Sequence, residues 1–584
     1  MNAQIIKNRL RKVFAYSVTG LIFLLLSAFL LLQVPPVQQR LINHYLGDLQ
    51  EVTGFPTSIK SFKMLWFDRL ELENVLVEDT ENNQMIAVER LRINFRLFEM
   101  LRGKYVNIDG IVIDKADVFL DNIRESDSTE DLNINIFIDR INKQYGGSGG
   151  GGASPVINIG EAILQNSSFQ YNDGSTDTLQ GFDYHHFTLD IDDVSLDKFM
   201  LMGDTIAFDV NSIVAKDRKT QLQVNSFSTF FRISQQAMEF YNLKADIGKS
   251  YIADTIVFHY QSQRDLNNFN DAVKIQAHFD KINLHPEDLA LFASGAATLD
   301  LPLQLSGDFN GKVSKFVLSD MLLQTGSSEL RGELSMDGLP YIDETFIEID
   351  LENSNLHFKD LAFALNHGVI QRLAPLGSTT LNGQFLGYVS DFVANAFIQT
   401  RLGNIKSDIN LKINESNNER STYSGNLSLI NFDLGTYLND TTLYQKISMA
   451  GKIKGSGLSM RTADFLLNAN VSSIGIMHYN YQNIYTDARF AQEFFSGKIG
   501  IDDQHAKVNL EGSLDLRKGI NEIKMQGKID TLDFAKIHLS KEALSLSTEI
   551  NIDTKGFELD SLVGSASFQN TIIHYQARSM ALKN

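Results

Sequence analysis

The chain has no cysteine among its 584 residues. This excludes disulfides, thiolate metal sites and cysteine nucleophiles, and it suits an export compartment where stray thiols are a hazard. Proline is scarce, at eight residues, and with a mean hydropathy of -0.13 the chain does not read as a disordered tail. There is one tryptophan, Trp66, which beside Phe67 reads as a packing anchor rather than a ligand stacker. Basic residues are outnumbered by acidic ones, 52 to 71, for a net charge of -19. That balance repels a phosphate backbone and excludes nucleic acid as a partner. No H-E-x-x-H, P-loop or zinc-finger spacing occurs, so no catalytic residue, metal site or cofactor is expected and the chain is not read as an enzyme. His185-His186, followed by Asp190, Asp192 and Asp193, is the most metal-like cluster, yet neighbouring strand residues point to opposite faces and could not easily share one ion. His285-Pro286-Glu287-Asp288 fits a helix start better than an active site.

What is present is one long uncharged apolar run over residues 13–34, marked by Val13, Leu21, Leu26, Leu31 and Val34. It is long enough to cross a bilayer core of roughly 30 Å as a helix. Lys7, Arg9, Arg11 and Lys12 precede it and Arg40 is the first basic residue after it, which keeps residues 1–12 cytoplasmic and sends the body across the membrane. A cleavable signal peptide competes, with small residues at Ser27-Ala28. The run is longer than the usual signal and no clean A-x-A site closes it, so an uncleaved anchor is favoured. Over residues 35–54, Pro35-Pro36, then Val37, Leu41, Tyr45, Leu49 and Val52, then Gly54 spell an amphipathic helix. It either lies on the membrane surface or caps the first strands.

From Ile59 the period changes to two. Leu70 and Leu72, then Leu91, Ile93, Phe95 and Leu97, then Ile111 and Ile113, then Val118 and Leu120 alternate with polar residues, the mark of half-buried antiparallel strands. Residues 55–145 make a first β segment. The glycine-rich tract 146–153 satisfies G-x-S-x-G and G-x-G-x-x-G only by composition, and marks a boundary or an excursion from the sheet near Ser148. Strands resume over 154–584. The clearest stretch places Leu299, Leu301, Leu303, Leu305, Phe309 and Val313 on odd positions with Gly307 and Gly311; it is one unusually long strand or one that a glycine bends or ends. Residues 277–292, 425–438 and 527–539 echo one another, each a strand, then Asn283, Asn431 or Asp533, then a short apolar turn. Their uneven spacing makes a loose repeat rather than a strict solenoid. At the usual strand length the body holds about 40 strands.

Five stretches carry a family likeness: the basic-flanked run at 7–34, VQQRLINHYLGDLQEVTG at 37–54, MLWFDRLELENVLVED at 64–79, FDYHHFTLDIDDVSL at 182–196 and LQLSGDFNGKVSKFVLSDMLLQTG at 303–326. In this order they resemble the N-terminal part of the AsmA-like proteins, in particular the TamB-type translocation and assembly modules of Bacteroidetes, distant relatives of the bridge-like lipid transfer proteins. The resemblance implies an elongated, twisted antiparallel β-sheet curled into an apolar groove, anchored in the inner membrane, with the body in the periplasm. It implies delivery of phospholipid, or assembly of proteins, at the outer membrane. TamB-type chains are usually much longer and end in a domain that docks an Omp85-class partner; this chain stops at Asn584 in mid-pattern, so a piece of a longer protein or a short relative is expected.

Three functions follow. The first is a groove for phospholipid, lined by Leu91, Ile93, Phe95, Leu97, Leu299, Leu301, Leu303, Leu305, Phe309 and Val313. The second is a scaffold or chaperone for outer-membrane proteins, with an Omp85-class partner. The third is a closed β-sandwich of the envelope, because alternation alone does not distinguish a dry core from a lipid-wetted groove.

Overall fold

The computed structural model describes residues 17–582 apart from 25, 28–29, 32, 67, 97–104, 127–128, 146–155, 175, 293–299, 362–369, 372, 415, 460, 518, 557–562 and 577. Strand accounts for 65% and helix for 15%, so the chain is mainly β. The described residues hold 29 strands rather than about 40, because most run ten residues or more. The chain divides into two compact units, Met1–Ala297 and Thr298–Asn584. Each is built on a twisted, curled sheet that does not close.

In the first unit, helix α1 (Pro35–Thr53) starts on its two prolines and stops at Gly54, whose left-handed backbone (φ 70°) returns an N–H to the Gln50 carbonyl; glycine adopts that turn at little cost. The helix docks through glutamines. Gln38 donates to the Met64 carbonyl (2.9 Å) and accepts the Met64 N–H (3.0 Å), while Gln39 accepts the Phe62 N–H (3.2 Å). These groups form the outer row of β1 (Thr57–Leu65), which would otherwise be an open sheet edge. This face of α1 therefore caps the first strand.

From β1 the sheet passes antiparallel through β2 (Arg69–Glu78) and β3 (Gln84–Phe95) to β4 (Tyr105–Ser126). There the antiparallel expectation fails. After a hairpin to β5 (Thr129–Leu132) and helix α2 (Asn133–Tyr145), the chain returns as β6 (Val156–Asn172) parallel to β4. Parallel neighbours need a crossover, and a helix is the usual one. The glycine-rich tract belongs to this excursion and lies outside the described residues. An antiparallel meander then runs through β7 (His186–Met202), β8 (Thr205–Asp217), β9 (Gln223–Ile233), β10 (Ala237–Ile247), β11 (Ser250–His259) and β12 (Lys274–Leu284). Two short helices, α3 (Phe269–Ala272) and α4 (Pro286–Leu289), flank β12.

The second unit is antiparallel throughout. Its strands are β13 (Leu303–Lys312), β14 (Lys315–Thr325), β15 (Ser328–Asp337), β16 (Phe346–His357), β17 (Ser378–Tyr388), β18 (Asp391–Thr400), β19 (Gly403–Lys412), β20 (Thr422–Asp433), β21 (Tyr444–Ser456), β22 (Asp464–Ile476), β23 (Tyr479–Ala491), β24 (Phe494–Asp502), β25 (Ala506–Asp515), β26 (Glu522–Asp533), β27 (Leu544–Lys555), β28 (Val563–Tyr575) and β29 (Arg578–Ala581). Helix α5 (Leu434–Leu438) stands between β20 and β21, with Asp433 accepting the Thr436 N–H at its start. The long apolar stretch from 299 resolves into β13 and a turn at Val313, with Gly307 and Gly311 at φ 139° and 146°; Leu299 lies outside the described residues.

Single left-handed residues interrupt many strands. Asn74, Lys115, Asn166, Asp320, Asn353, Asn431, Asn483 and Asn570 all have φ between 44° and 56°. Each flips the alternation. Leu70 and Leu72 give way to Val75 and Val77 across Asn74, and Phe316 and Leu318 give way to Met321 and Leu323 across Asp320. Such bulges increase twist and bend a sheet toward one face.

The largest clusters of buried apolar residues among the described residues lie toward one end of the strands in each unit. In the first, Phe55, Val77, Met85, Ile123 and Ile136 cluster under α2. In the second, Leu376, Leu402, Phe432, Ile447 and Val471 cluster with Leu434 and Tyr437 of α5. We refer to this end as the dry rim and to the other as the open rim.

Candidate functional site

Register sorts the side chains cleanly. In the second unit Leu334 stands opposite Leu318 and Ile349, and Met336 opposite Phe316 and Ile347, whereas Ser335 faces Val317 and Glu348 and Glu333 faces Asp350. The same division recurs at Ile409, between Ala394 and Gly425, with Asp408 and Asn410 on the other side. One face is aliphatic and aromatic. The other carries exposed ion pairs such as Lys315–Asp337 (2.7 Å) and Lys412–Asp391 (2.9 Å), which keep that face wet and add little stability.

Away from the dry rims most of the apolar face is half-buried, with Leu318, Met321 and Ile347 among the buried exceptions. The accessible surface is 35,530 Å², whereas two compact globules of half this mass would expose about 25,000 Å² together. Part of the difference is the apolar side of a sheet that does not close. A closed sandwich would have buried that side.

Aromatic rings gather at both ends of the strands: Phe169, Tyr171, Phe182, Phe187 and Phe292 cluster toward the dry rim, and further rows lie toward the open rim. Across β7 to β11, Phe199, Phe208, Phe231, Phe240 and Phe258 contact one another in turn, with centroids 5.8, 5.0, 5.1 and 6.0 Å apart, and Phe269 of α3 continues the row at 5.2 Å. In the second unit Phe309 and Phe316 lie 4.6 Å apart, as do Phe385 and Phe392. Phe316 stands opposite Gly311 and Phe392 opposite Gly387. A Cβ on Gly387 (φ 138°) would come 2.4 Å from the Asp391 carbonyl oxygen, so the ring occupies room that only glycine leaves.

Of the expected lining residues, Leu91, Ile93, Phe95, Leu303, Leu305 and Phe309 lie on the apolar parity of their strands. Leu91 pairs with Leu72 and Ile113, Ile93 with Leu70 and Ile111, and Phe95 with Ile108. Leu303, Leu305 and Phe309 lie along β13, half-buried, with Leu301 just before it and Val313 in the turn after it. Leu97 and Leu299 lie outside the described residues. Of the expected anchor, Leu21, Leu26 and Leu31 are helical and 53–59% exposed, Val34 is extended, and Val13 is outside the described residues. No helix of the described residues is long and apolar enough to cross a membrane.

One reading of these residues needs correction, and one feature was not foreseen. Trp66 packs into no core: it is 76% exposed at the tip of the β1–β2 hairpin, with φ 48°. The phenylalanine row was not anticipated, because its members sit near strand ends, several with polar neighbours that hide the alternation; 39 phenylalanines in the chain were the available signal.

The histidine pair is structural. His186 Nε2 meets the Asp173 carbonyl (2.8 Å) and its Nδ1 lies 3.3 Å from Asp183. Asp183 is 1% exposed. Its burial pushes the carboxyl up, but the Leu179 amide (2.9 Å), His186, the His185 amide and Lys219 outweigh this and hold it at about 2. Tyr479 goes the other way, its hydroxyl raised by burial and by a hydrogen bond to Asp503. Among the described residues, Asp254, His278 and Asp280 bring ligand atoms within 4.8 Å of one another, but His278 and Asp280 are exposed and nothing else at the site points to an ion.

No family model matches the chain, and neither a curated protein nor a solved structure is significantly similar to it.

Proposed function

We propose that the apolar face holds phospholipid acyl chains, and that the chain is a non-catalytic, inner-membrane-anchored periplasmic protein moving lipid toward the outer membrane. The supporting observation is the uncovered apolar face, aromatic toward its open rim and backed by a charged one. Each methylene of an acyl chain costs about 0.8 kcal/mol in water, so a surface of this kind lowers the barrier to carrying lipid through an aqueous space. No oxidoreductive or hydrolytic chemistry is called for. The reading is tested with Leu303→Arg and Leu305→Arg, and with Gln304→Arg on the wet parity as control. On a half-exposed face the guanidinium reaches water, so both leucine variants are expected to accumulate folded and protease-resistant yet to impair outer-membrane integrity, while the control behaves as wild type. Unfolding of both leucine variants would mark a dry core instead.

A second reading, a scaffold for outer-membrane proteins in transit with an Omp85-class partner, is favoured by one feature. Among the described residues β29 pairs only with Ile572 to Tyr575 of β28, and Val563 and Phe568 on the rest of that strand are 71% and 50% exposed. An edge of this kind accepts an added strand, from another protein or from further residues of the same chain. Proline at Ser567 would block strand addition and leave lipid transfer intact, so its effect separates the two readings.

A further inference from the structure

Helix α1 carries apolar residues on two sides, one more than a capping helix needs. Its inward side holds Gln38 (5% exposed) and Gln39, which bond the backbone of β1, and half-buried Ile42, Leu46 and Leu49. A second apolar stripe points outward: Val34, Val37, Leu41 and Tyr45, spaced by three or four residues, are 42%, 36%, 49% and 60% exposed. A continuous exposed stripe of this kind marks a surface that something covers. The hairpin tip sits at the same end of the helix, because the Trp66 N–H donates to the Gln33 side chain (3.3 Å). Gln33 stands one residue before the end of the uncharged run of residues 13–34.

We propose that the outward stripe of α1 and the indole of Trp66 lie in the headgroup layer of a lipid bilayer, so that the apolar face of the first unit begins at the membrane surface. This rests on the reading of residues 13–34 as a membrane anchor. Three observations favour a bilayer over a protein as the covering partner. The stripe follows directly on an apolar run with no charge. Between Pro35 and Gly47 the one charged residue is Arg40, with acids only from Asp48 onward, which suits a surface of lipid phosphates. Tryptophan and tyrosine, apolar bodies with a polar edge, are the side chains that settle at a membrane–water interface. Lipid leaving the bilayer would then meet Leu70, Leu72 and Leu91 of the apolar face without crossing open water.

Trp66 is the single tryptophan, so the full-length protein carries its own reporter. The chain is reconstituted into phosphatidylcholine vesicles, and flotation is followed by tryptophan emission with lipids brominated either next to the headgroup or near the chain ends. The expected result is co-flotation, a blue-shifted emission shielded from acrylamide, and stronger quenching by the headgroup-proximal bromines. Leu41→Ser with Tyr45→Ser should float as before but lose much of that quenching; unchanged quenching would overturn the role of the stripe. Co-flotation with water-like, unquenched emission, or with quenching chiefly by the deep bromines, would overturn the interfacial placement and leave the anchor standing. Failure to float would overturn both.

Discussion

Asp183 shows how single residues hold the loops that the sheet does not. Its carboxyl is depressed to about 2 by four donors that outweigh its burial. A group depressed in the folded state stabilises above its unfolded value near 4, and that contribution is lost as pH falls toward 2. Asp183→Asn should therefore cost between about 1 and 2 kcal/mol at neutral pH and next to nothing near pH 2, read as denaturant midpoints at the two pH values. Gly387 is the backbone counterpart. At φ 138°, with a carbonyl oxygen 2.4 Å from where a Cβ would stand, Gly387→Ala should lower the unfolding free energy of the second unit by at least about 1 to 3 kcal/mol. A midpoint equal to wild type would show that the close strand approach is not required. At this scale the sequence was partly legible. Leu91, Ile93, Leu303 and Leu305 fell on the apolar face because alternation is a local property. Trp66 did not, since nothing local distinguishes an aromatic ring at a hairpin tip from one in a core.

At the scale of elements, each unit carries within itself a clasp of the same kind at its dry rim. Asp288 accepts the Lys249 N–H (2.8 Å) and the Ser250 hydroxyl (2.6 Å), and the His285 N–H donates to Ser250 (2.9 Å). Asp360 does the same with Ser327 (2.7 Å) and Ser328 (3.0 Å), and the His357 N–H donates to Ser328 (2.9 Å). The letters behind it, Asn-Leu-His-x-x-Asp at 283–288 and again at 355–360, were there to be seen, but the second copy was masked by its different flanks. Ser328→Ala leaves the buried His357 amide and Asp360 short of a partner, and should cost about 1 to 3 kcal/mol; Ser250→Ala should cost the same, each measured by protease resistance of the strands around it. The bulges were also half legible. The apolar set moves from Ile111 and Ile113 to Val118 and Leu120, a change of parity that records the left-handed Lys115 between them. The parallel pairing of β4 and β6 was not legible, because pairing across a long excursion leaves no local trace.

At the scale of the whole molecule, the surface left exposed is the property on which the proposed function rests. A closed sandwich and a lipid-carrying sheet share one sequence pattern, and they differ in whether the apolar face meets protein or solvent. The sheet does not close, which leaves room for the proposed lipid-carrying role. The most direct measurement is site-specific photocrosslinking in living cells, with a photoreactive residue placed at Leu334 on the apolar face or at Ser335 on the charged one. The account predicts a phospholipid adduct at position 334 and none at 335, seen as a mass increment on the intact chain. Absence of lipid at 334 in folded protein that crosslinks elsewhere, or equal capture at both positions, would contradict it.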